Sequence, residues 1–273
     1  MGKKLTIKEA LKKASLTLSH LENPQKEARL LLSFFLQKDF IYLTLHDNEK
    51  VDKNFFKLVQ KRAENIPLEY ITNSVSFYSE EFFIDYGALI PRPESELLID
   101  EVLKLRLASD FRLAEIGVGS GILSIMLSKL TGCKVVASDI SLDAIKVAKE
   151  NVKRFGLEDS IKLIHTSYLD GIEGQFDIII SNPPYIEDGF NVEKNLSYEP
   201  QNALYGGKVG NEIVKDIVDL AIIKKPYYLV CEMGYDQKES MTSYFKDRGV
   251  KKFWFYKDLS NFDRGFVVEF DRV

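Results

Sequence analysis

From about residue 94 onward, short apolar runs alternate with helical patterns, and this alternation constrains the fold more than any other feature. Leu113-Ala-Glu-Ile116 reads as a strand, and Gly121–Leu130 as a helix. Lys134-Val-Val-Ala-Ser138 is a second strand, followed by an amphipathic helix over Leu142–Phe155 with Ala144, Ile145, Ala148 and Val152 inward. Ile161-Lys-Leu-Ile164 and Phe176-Asp-Ile-Ile-Ile-Ser181 continue the series. Then come a helix over Ile213–Ile223, the strand Tyr228-Leu-Val-Cys231 and a helix containing Met241–Phe245. Two late strands, Lys252–Tyr256 and Phe266–Phe270, close the chain. Helical crossovers between strands demand parallel pairing, so the expectation is an open α/β sheet with helices on both faces. Ligands in such sheets bind at the carboxyl ends of the strands, near the point where strand order reverses.

The 273 residues leave room for a second body. Ile7, Ala10, Leu11, Ala14, Leu18 and Leu21 recur at helical spacing behind a Thr6/Glu9 capping box. Asn23-Pro24 opens a second helix with Ala28, Leu31, Leu32 and Phe35 on its apolar face. Asp52 opens a third, carrying Phe55, Phe56, Val59 and Ala63. Residues 75–91 change to a strand-like period. The expected layout is a small all-α domain at 1–72, a β-hairpin linker at 73–91 and an α/β domain at 92–273.

Charge and cysteine usage narrow the function. Net charge is −4, which argues against wrapping duplex nucleic acid. Cys133 and Cys231 sit in apolar runs and read as small core residues; His20, His46 and His165 share no ligand spacing, so no metal is expected. No apolar run approaches the ~18 residues of a membrane span, and the N-terminus lacks the apolar core of a signal peptide. A cytoplasmic location is expected.

The first strand of the α/β region runs into Gly117-Val118-Gly119-Ser120-Gly121. Glycine lets the backbone turn sharply and approach a ligand closely. A dinucleotide fingerprint reads G-x-G-x-x-G, whereas here the third glycine falls one residue early and Ile122 takes the sixth place. That spacing favours a nucleoside ligand without a pyrophosphate, such as S-adenosylmethionine. The second strand ends in Asp139, placed to accept from ribose hydroxyls, while Ser141 is better placed to cap the following helix. After the third strand, Tyr168 is positioned to lie against an adenine face.

Asn182-Pro183-Pro184-Tyr185 closes the fourth strand. Two consecutive prolines fix φ and carry no N–H, so the corner is stiff. The Asn182 side-chain oxygen and the Pro183 carbonyl can each accept one N–H of a planar amino group, and Tyr185 offers a flat wall.

Gly117-Val-Gly-Ser-Gly121, Asp139 and Asn182-Pro-Pro-Tyr185 together resemble a class I S-adenosylmethionine-dependent methyltransferase acting on nitrogen. More narrowly, Leu89-Ile-Pro-Arg-Pro-Glu-Ser-Glu96, Tyr198-Glu-Pro-Gln-Asn-Ala-Leu204 with Gly206, Gly207 and Gly210, and Pro67-Leu-Glu-Tyr-Ile71 are similar to the HemK/PrmC family. The resemblance implies a Rossmann-like sheet with an antiparallel last strand. It also implies S-adenosylmethionine as methyl donor and, as substrate, the glutamine of the Gly-Gly-Gln motif in peptide chain release factors, without membrane or direct nucleic-acid binding. Carried over by position, Gly117, Val118, Gly119, Ser120, Gly121, Asp139, Tyr168 and Asn182 hold the cofactor, and Asn182, Pro183, Pro184 and Tyr185 hold the substrate, with Asn182, Pro183 and Tyr185 catalytic. Arg92 and Glu94 flank the pocket, and Phe77 and Tyr78 are candidates to line it. The chain departs from the family at Ser167, where an Asp is usual. Two related activities stay open: a ribosomal-protein glutamine methyltransferase, and an amino-methyltransferase for adenine or guanine in nucleic acid.

Overall fold

Thr6 starts the first helix as its residue type demands: its hydroxyl accepts from Glu9 N, and the Glu9 carboxylate accepts from Thr6 N at 2.8 Å. The computed structural model describes residues 4–105 and 110–271. Within them the chain forms two compact units, one of residues 1–74 with 193–198, the other of residues 75–192 with 199–273.

The first unit is helical: α1 (Ile7–Thr17), α2 (Pro24–Leu36), α3 (Phe40–Leu45), α4 (Phe55–Ala63) and α5 (Leu68–Thr72). Ile7, Ala14, Leu31, Leu32, Phe55 and Val59 fill its core. Pro24 takes the first helical position of α2, but the Asn23 side chain makes no capping bond. Asp52 accepts from Asn54 N in a tight turn before α4, and Asn54 occupies the cap position. The short α3, capped by Asp39 on Tyr42 N, is less than two turns long and leaves no readable periodicity. Tyr198 belongs to this unit and donates its hydroxyl to the Glu64 carbonyl at 2.9 Å.

The second unit begins within β1 (Ser74–Phe77), which forms a hairpin with β2 (Glu80–Phe83) through Tyr78 and Ser79, both at positive φ. Such a turn favours Asn-Gly, and Tyr78 is held there by contacts to the next helix, α6 (Glu96–Lys104). Its backbone N–H donates to Glu96 Oε1 at 2.7 Å and its hydroxyl to Asp100 Oδ1 at 3.0 Å.

The main sheet is built from β3 (Arg112–Ile116), β4 (Lys134–Asp139), β5 (Ile161–His165), β6 (Ile178–Ser181), β9 (Tyr228–Glu232), β10 (Lys252–Lys257) and β11 (Asp263–Glu269). Its order is β10-β11-β9-β6-β3-β4-β5, with β11 antiparallel to both neighbours and the remaining pairs parallel. The helices α7 (Ile122–Thr131), α8 (Leu142–Arg154), α9 (Glu212–Lys224) and α10 (Lys238–Asp247) follow strands, as the alternation requires. Ile178, Ile179 and Ile180 are all fully buried, the mark of a central parallel strand covered on both faces. Strand order reverses between β3 and β6. A small parallel ribbon of β7 (Ile186–Glu187) and β8 (Tyr205–Gly207) folds the segment after β6 back on itself.

Candidate active site

The register of β3 on β6 pairs Ile116 with Ser181. The residues that follow, Gly117 and Asn182, therefore leave the sheet side by side at the strand-order reversal. A cleft of about 220 Å³ opens there. Gly117, Val118, Gly119, Ser120, Asp139, Tyr168, Asn182, Pro183 and Pro184 line it, together with Glu115, Ser95, Ser181 and Asn202.

Gly117 and Gly119 have φ of +74° and +52°, and a Cβ on either would meet open space. The conformation, and not crowding, demands glycine there, and the open space is room for a ligand. Gly117 N and Val118 N both donate to Ser138 O at 2.9 Å. The Asn151 side chain on α8 donates to Ser120 O at 2.8 Å, a tether that periodicity alone does not reveal. Gly121 has a packing role besides the one expected of it. It is outside the cleft lining, and a Cβ on it would stand 3.2 Å from Ala148 Cβ, so its small size lets α7 pack on α8.

Asp139 Oδ2 accepts from Gly119 N at 2.9 Å and Oδ1 from Ser141 N at 2.8 Å. Ser141, not Asp139, caps α8 by accepting from Ala144 N. Burial raises the Asp139 pKa, against the opposing pull of those backbone donors. Each carboxylate oxygen retains a lone pair for a ligand hydroxyl. Beneath the loop, Glu115 accepts from Ser124 N at 3.0 Å and from the Ser124 hydroxyl; burial pushes its pKa up to about 8. Tyr168 stands in the cleft wall at φ +45°, its hydroxyl donating to Asp216 Oδ2 at 2.9 Å.

At the other wall, Asn182 Nδ2 donates to Ser95 Oγ at 2.9 Å. Among the described residues, nothing donates to Asn182 Oδ1 or to the Pro183 carbonyl. The corner is locked from behind: Gln237 Nε2 donates to Tyr185 O at 3.0 Å and to Gly210 O at 3.1 Å. Gly206 lies against the same corner, where a Cβ would stand 2.5 Å from Gly210 O and closer still to Pro184 O.

Three sequence expectations change. Tyr185 is not part of the cleft lining. Burial, then the Glu232 charge, pushes its pKa up to about 12 against Arg264 and Arg92. Phe77 packs in the hairpin core on Phe82, and Tyr78 is held by Glu96 and Asp100, so neither lines the cleft. Arg92 pairs with buried Glu199, whose other oxygen accepts from Ile90 N at 2.9 Å, while Glu94 stays partly exposed, 4.0 Å from Arg264.

Comparison with known proteins bears on this geometry. Residues 9–72 match the PrmC N-terminal domain, and residues 93–204 the methyltransferase small domain. The release factor glutamine methyltransferase of Clostridium acetobutylicum is 31% identical over 277 residues, spanning 95% of this chain and 97% of that relative. The chain belongs to the HemK/PrmC family. The bifunctional methyltransferase of Rickettsia conorii is 33% identical over 95% of this chain, and the chain spans 57% of that longer relative's length. Among solved structures, the catalytic domain of human Mettl16 in complex with MAT2A 3'UTR hairpin 6 superposes with a TM-score of 0.61 at 19% identity, covering 70% of this chain and 76% of that one. That likeness shows a class I methyltransferase fold.

Two loop segments support the wall of the cleft and the turn beside it. Tyr198-Glu-Pro supplies Glu199, which holds Arg92 and the Ile90 backbone next to the cleft. The turn after β10 supplies Asp258, which accepts from Arg264 Nε at 2.7 Å and fixes that cation near Glu94. Cys133 and Cys231 are free and buried. No helix of the described residues is long and apolar enough to cross a membrane.

Proposed function

We propose that this chain transfers a methyl group from S-adenosyl-L-methionine to the side-chain amide nitrogen, N5, of the glutamine in the Gly-Gly-Gln motif of class 1 peptide chain release factors. The observation that carries the reading is the pair of unpartnered acceptors at one stiff corner, Asn182 Oδ1 and the Pro183 carbonyl, beside the glycine loop. Release factor glutamine methyltransferases are among the relatives that match the chain nearly end to end.

The cleft suits the methyl donor. Open space lies over Gly117 and Gly119, the Asp139 oxygens have lone pairs for ribose hydroxyls, and Tyr168 and Leu123 offer apolar surface for a base. When bound, S-adenosyl-L-methionine supplies an electrophilic methyl group on a sulfonium.

The chain's own residues then act on the acceptor amide. An amide nitrogen is a poor nucleophile because its lone pair is delocalised. Asn182 Oδ1 accepts one of its N–H bonds and the Pro183 carbonyl the other, so the nitrogen is held still with one face free. Orientation of this kind supplies up to roughly 7–11 kcal/mol in favourable cases. Positive charge grows on the nitrogen as its new bond forms, and two fixed oxygens already facing it stabilise that charge. An N-protonated amide is strongly acidic, so its proton leaves to water and no strong base is required.

In the same reading, the helical body at 1–72 recognises the release factor, 73–91 links it to the α/β domain at 92–273, and the protein works in the cytoplasm. The test is incubation with methyl-labelled S-adenosyl-L-methionine and purified release factor, ribosomes or RNA. Label should enter the Gly-Gly-Gln peptide of the release factor, as read by mass spectrometry. Label confined to ribosomal protein or to RNA bases overturns the assignment.

A further inference from the structure

Asn182 is oriented by something other than its own loop. Its amide has one donor end and one acceptor end, and only the acceptor end can grip a substrate N–H. The donor end is taken by Ser95 Oγ at 2.9 Å. Ser95 is 1% exposed, on the short turn Pro93–Ser95 that the Pro91-Arg-Pro93 run stiffens. Its single hydroxyl proton is then available to another acceptor, and the Glu232 carboxyl is close enough for its charge to be stabilised by that hydroxyl. Glu232 reaches that position by register. Ser181 on β6 pairs with Cys231 on β9, so Asn182 and Glu232 stand at neighbouring strand ends. Glu232 is 4% exposed, and its Oε1 has no partner.

We propose that Ser95 and Glu232 form a positioning relay for Asn182, in which the Glu232 carboxylate holds the Ser95 hydroxyl, Ser95 holds Asn182 Nδ2, and Asn182 Oδ1 is thereby aimed into the cleft. The aligned dipoles end on a negative charge, so they also make Asn182 Oδ1 a stronger acceptor for an N–H that turns cationic. The proposal rests on the reading that Asn182 grips the substrate amide. In this relay both Ser95 and Glu232 act through Asn182.

The relay has a pH signature. Facing Glu232 are Glu94 from the Pro93–Ser95 turn, Arg264 from β11, Tyr256 from β10, Tyr185 from the corner and Cys231 on its own strand. Burial, then Glu94, pushes the Glu232 pKa up to about 7, against Ser95 and Arg264. Below that pH the carboxyl protonates and the relay loses its charge, so turnover should rise as pH increases through neutrality.

The experiment measures kcat, KM and S-adenosyl-L-methionine affinity for wild type, Ser95→Ala, Ser95→Thr, Glu232→Gln and Asn182→Ala, with a release factor as substrate. Ser95→Ala should lower kcat about 10- to 100-fold, the usual range for a partner one bond removed from the working group, with donor affinity within about threefold. Ser95→Thr should restore it, and Glu232→Gln should flatten the acidic limb of the pH profile. Wild-type kcat in Ser95→Ala, alongside an inactive Asn182→Ala, sinks the relay and leaves the reading of Asn182 standing. Full activity in Asn182→Ala sinks that reading instead. A second readout needs neither substrate nor turnover: the Asn182 side-chain amide signals in a ¹⁵N–¹H spectrum should titrate near neutrality in wild type and not in Glu232→Gln. Signals that titrate equally in both proteins overturn the proposal.

Discussion

Asn182 Nδ2 and Ser95 Oγ meet at 2.9 Å across 87 positions of sequence. That single bond decides which end of the Asn182 amide faces the cleft. A serine oxygen can donate or accept, and here it accepts from Asn182, which leaves its one proton for the Glu232 carboxyl in the relay proposed above. The corner motif supplies the asparagine, while a turn from another part of the chain supplies its orientation.

Asn182→Ala should abolish methyl transfer to a release factor. Loss of one preorganised group at a charge-developing atom typically lowers kcat by about 100- to 1000-fold. Calorimetric affinity for S-adenosyl-L-methionine should stay within a few-fold. Turnover near the wild-type value would remove Asn182 from the chemistry.

Asp139→Ala should weaken S-adenosyl-L-methionine binding by about 10- to 100-fold, the equivalent of one charge-assisted hydrogen bond of roughly 1.5–3 kcal/mol. Loss of the Gly119 and Ser141 backbone contacts should also loosen the glycine loop. Calorimetry reads the first effect and amide exchange at Gly119 the second. Unchanged affinity would restrict Asp139 to holding the loop.

Gly206→Ala should destabilise the second unit by about 1–3 kcal/mol, since the added methyl collides with backbone oxygens of Pro184 and Gly210. The collision pushes on the diproline corner, so kcat should fall more than thermal stability alone explains. Melting temperature and kcat measured together check this. A melting curve and rate like those of the parent protein would show that the loop has room to yield.

Stability should fall as pH rises from about 4.5 to 8. Glu115 has its folded pKa raised from 4.5 to about 8, and Glu232 from 4.5 to about 7, both chiefly by burial. In that window the unfolded chain has already released these protons and the folded chain still holds them, so each step up in pH favours unfolding. Glu115→Gln keeps an acceptor for Ser124 and has no proton to lose. Its stability relative to wild type should therefore grow through the same window, as denaturant unfolding at a series of pH values can measure. A constant difference across pH would mean that Glu115 is ionised in the folded protein.

Arg92→Ala strands the buried Glu199 carboxylate with only the Ile90 N–H. A cost of about 1–3 kcal/mol follows from an under-satisfied buried acceptor. Arg92→Ala with Glu199→Gln should recover part of that loss, which a double-mutant cycle in urea would register. No recovery in the double variant would assign the Arg92 effect to lost packing.

The strands and helices of the α/β unit were legible because their signals are local. Apolar runs of four to six residues, set between amphipathic helices, leave few other packings. Several boundaries moved by a few residues. Phe176 is buried against Arg112 before β6 begins at Ile178, and β11 starts at Asp263, ahead of its apolar run. The helix α3 was missed because it is too short to show a period. The packing role of Gly121 was not legible, because both a ligand and a helix demand a small residue at that position, and only the fold brings Ala148 against it. Glu232 carried no local signal, and Ser95 and Glu199 stood only as members of family-like runs with no role of their own.

Covalent geometry and periodicity, which act within a few residues, determined the sheet, the glycine loop, the acid after the second strand and the stiffness of Asn182-Pro183-Pro184. Tertiary structure alone decided that Tyr185 is buried beside Glu232, that Gly121 packs against Ala148, and that Ser95 takes the donor end of Asn182. Those outcomes depend on partners brought in by strand register from tens of residues away, and a hydrogen bond has direction that composition cannot encode.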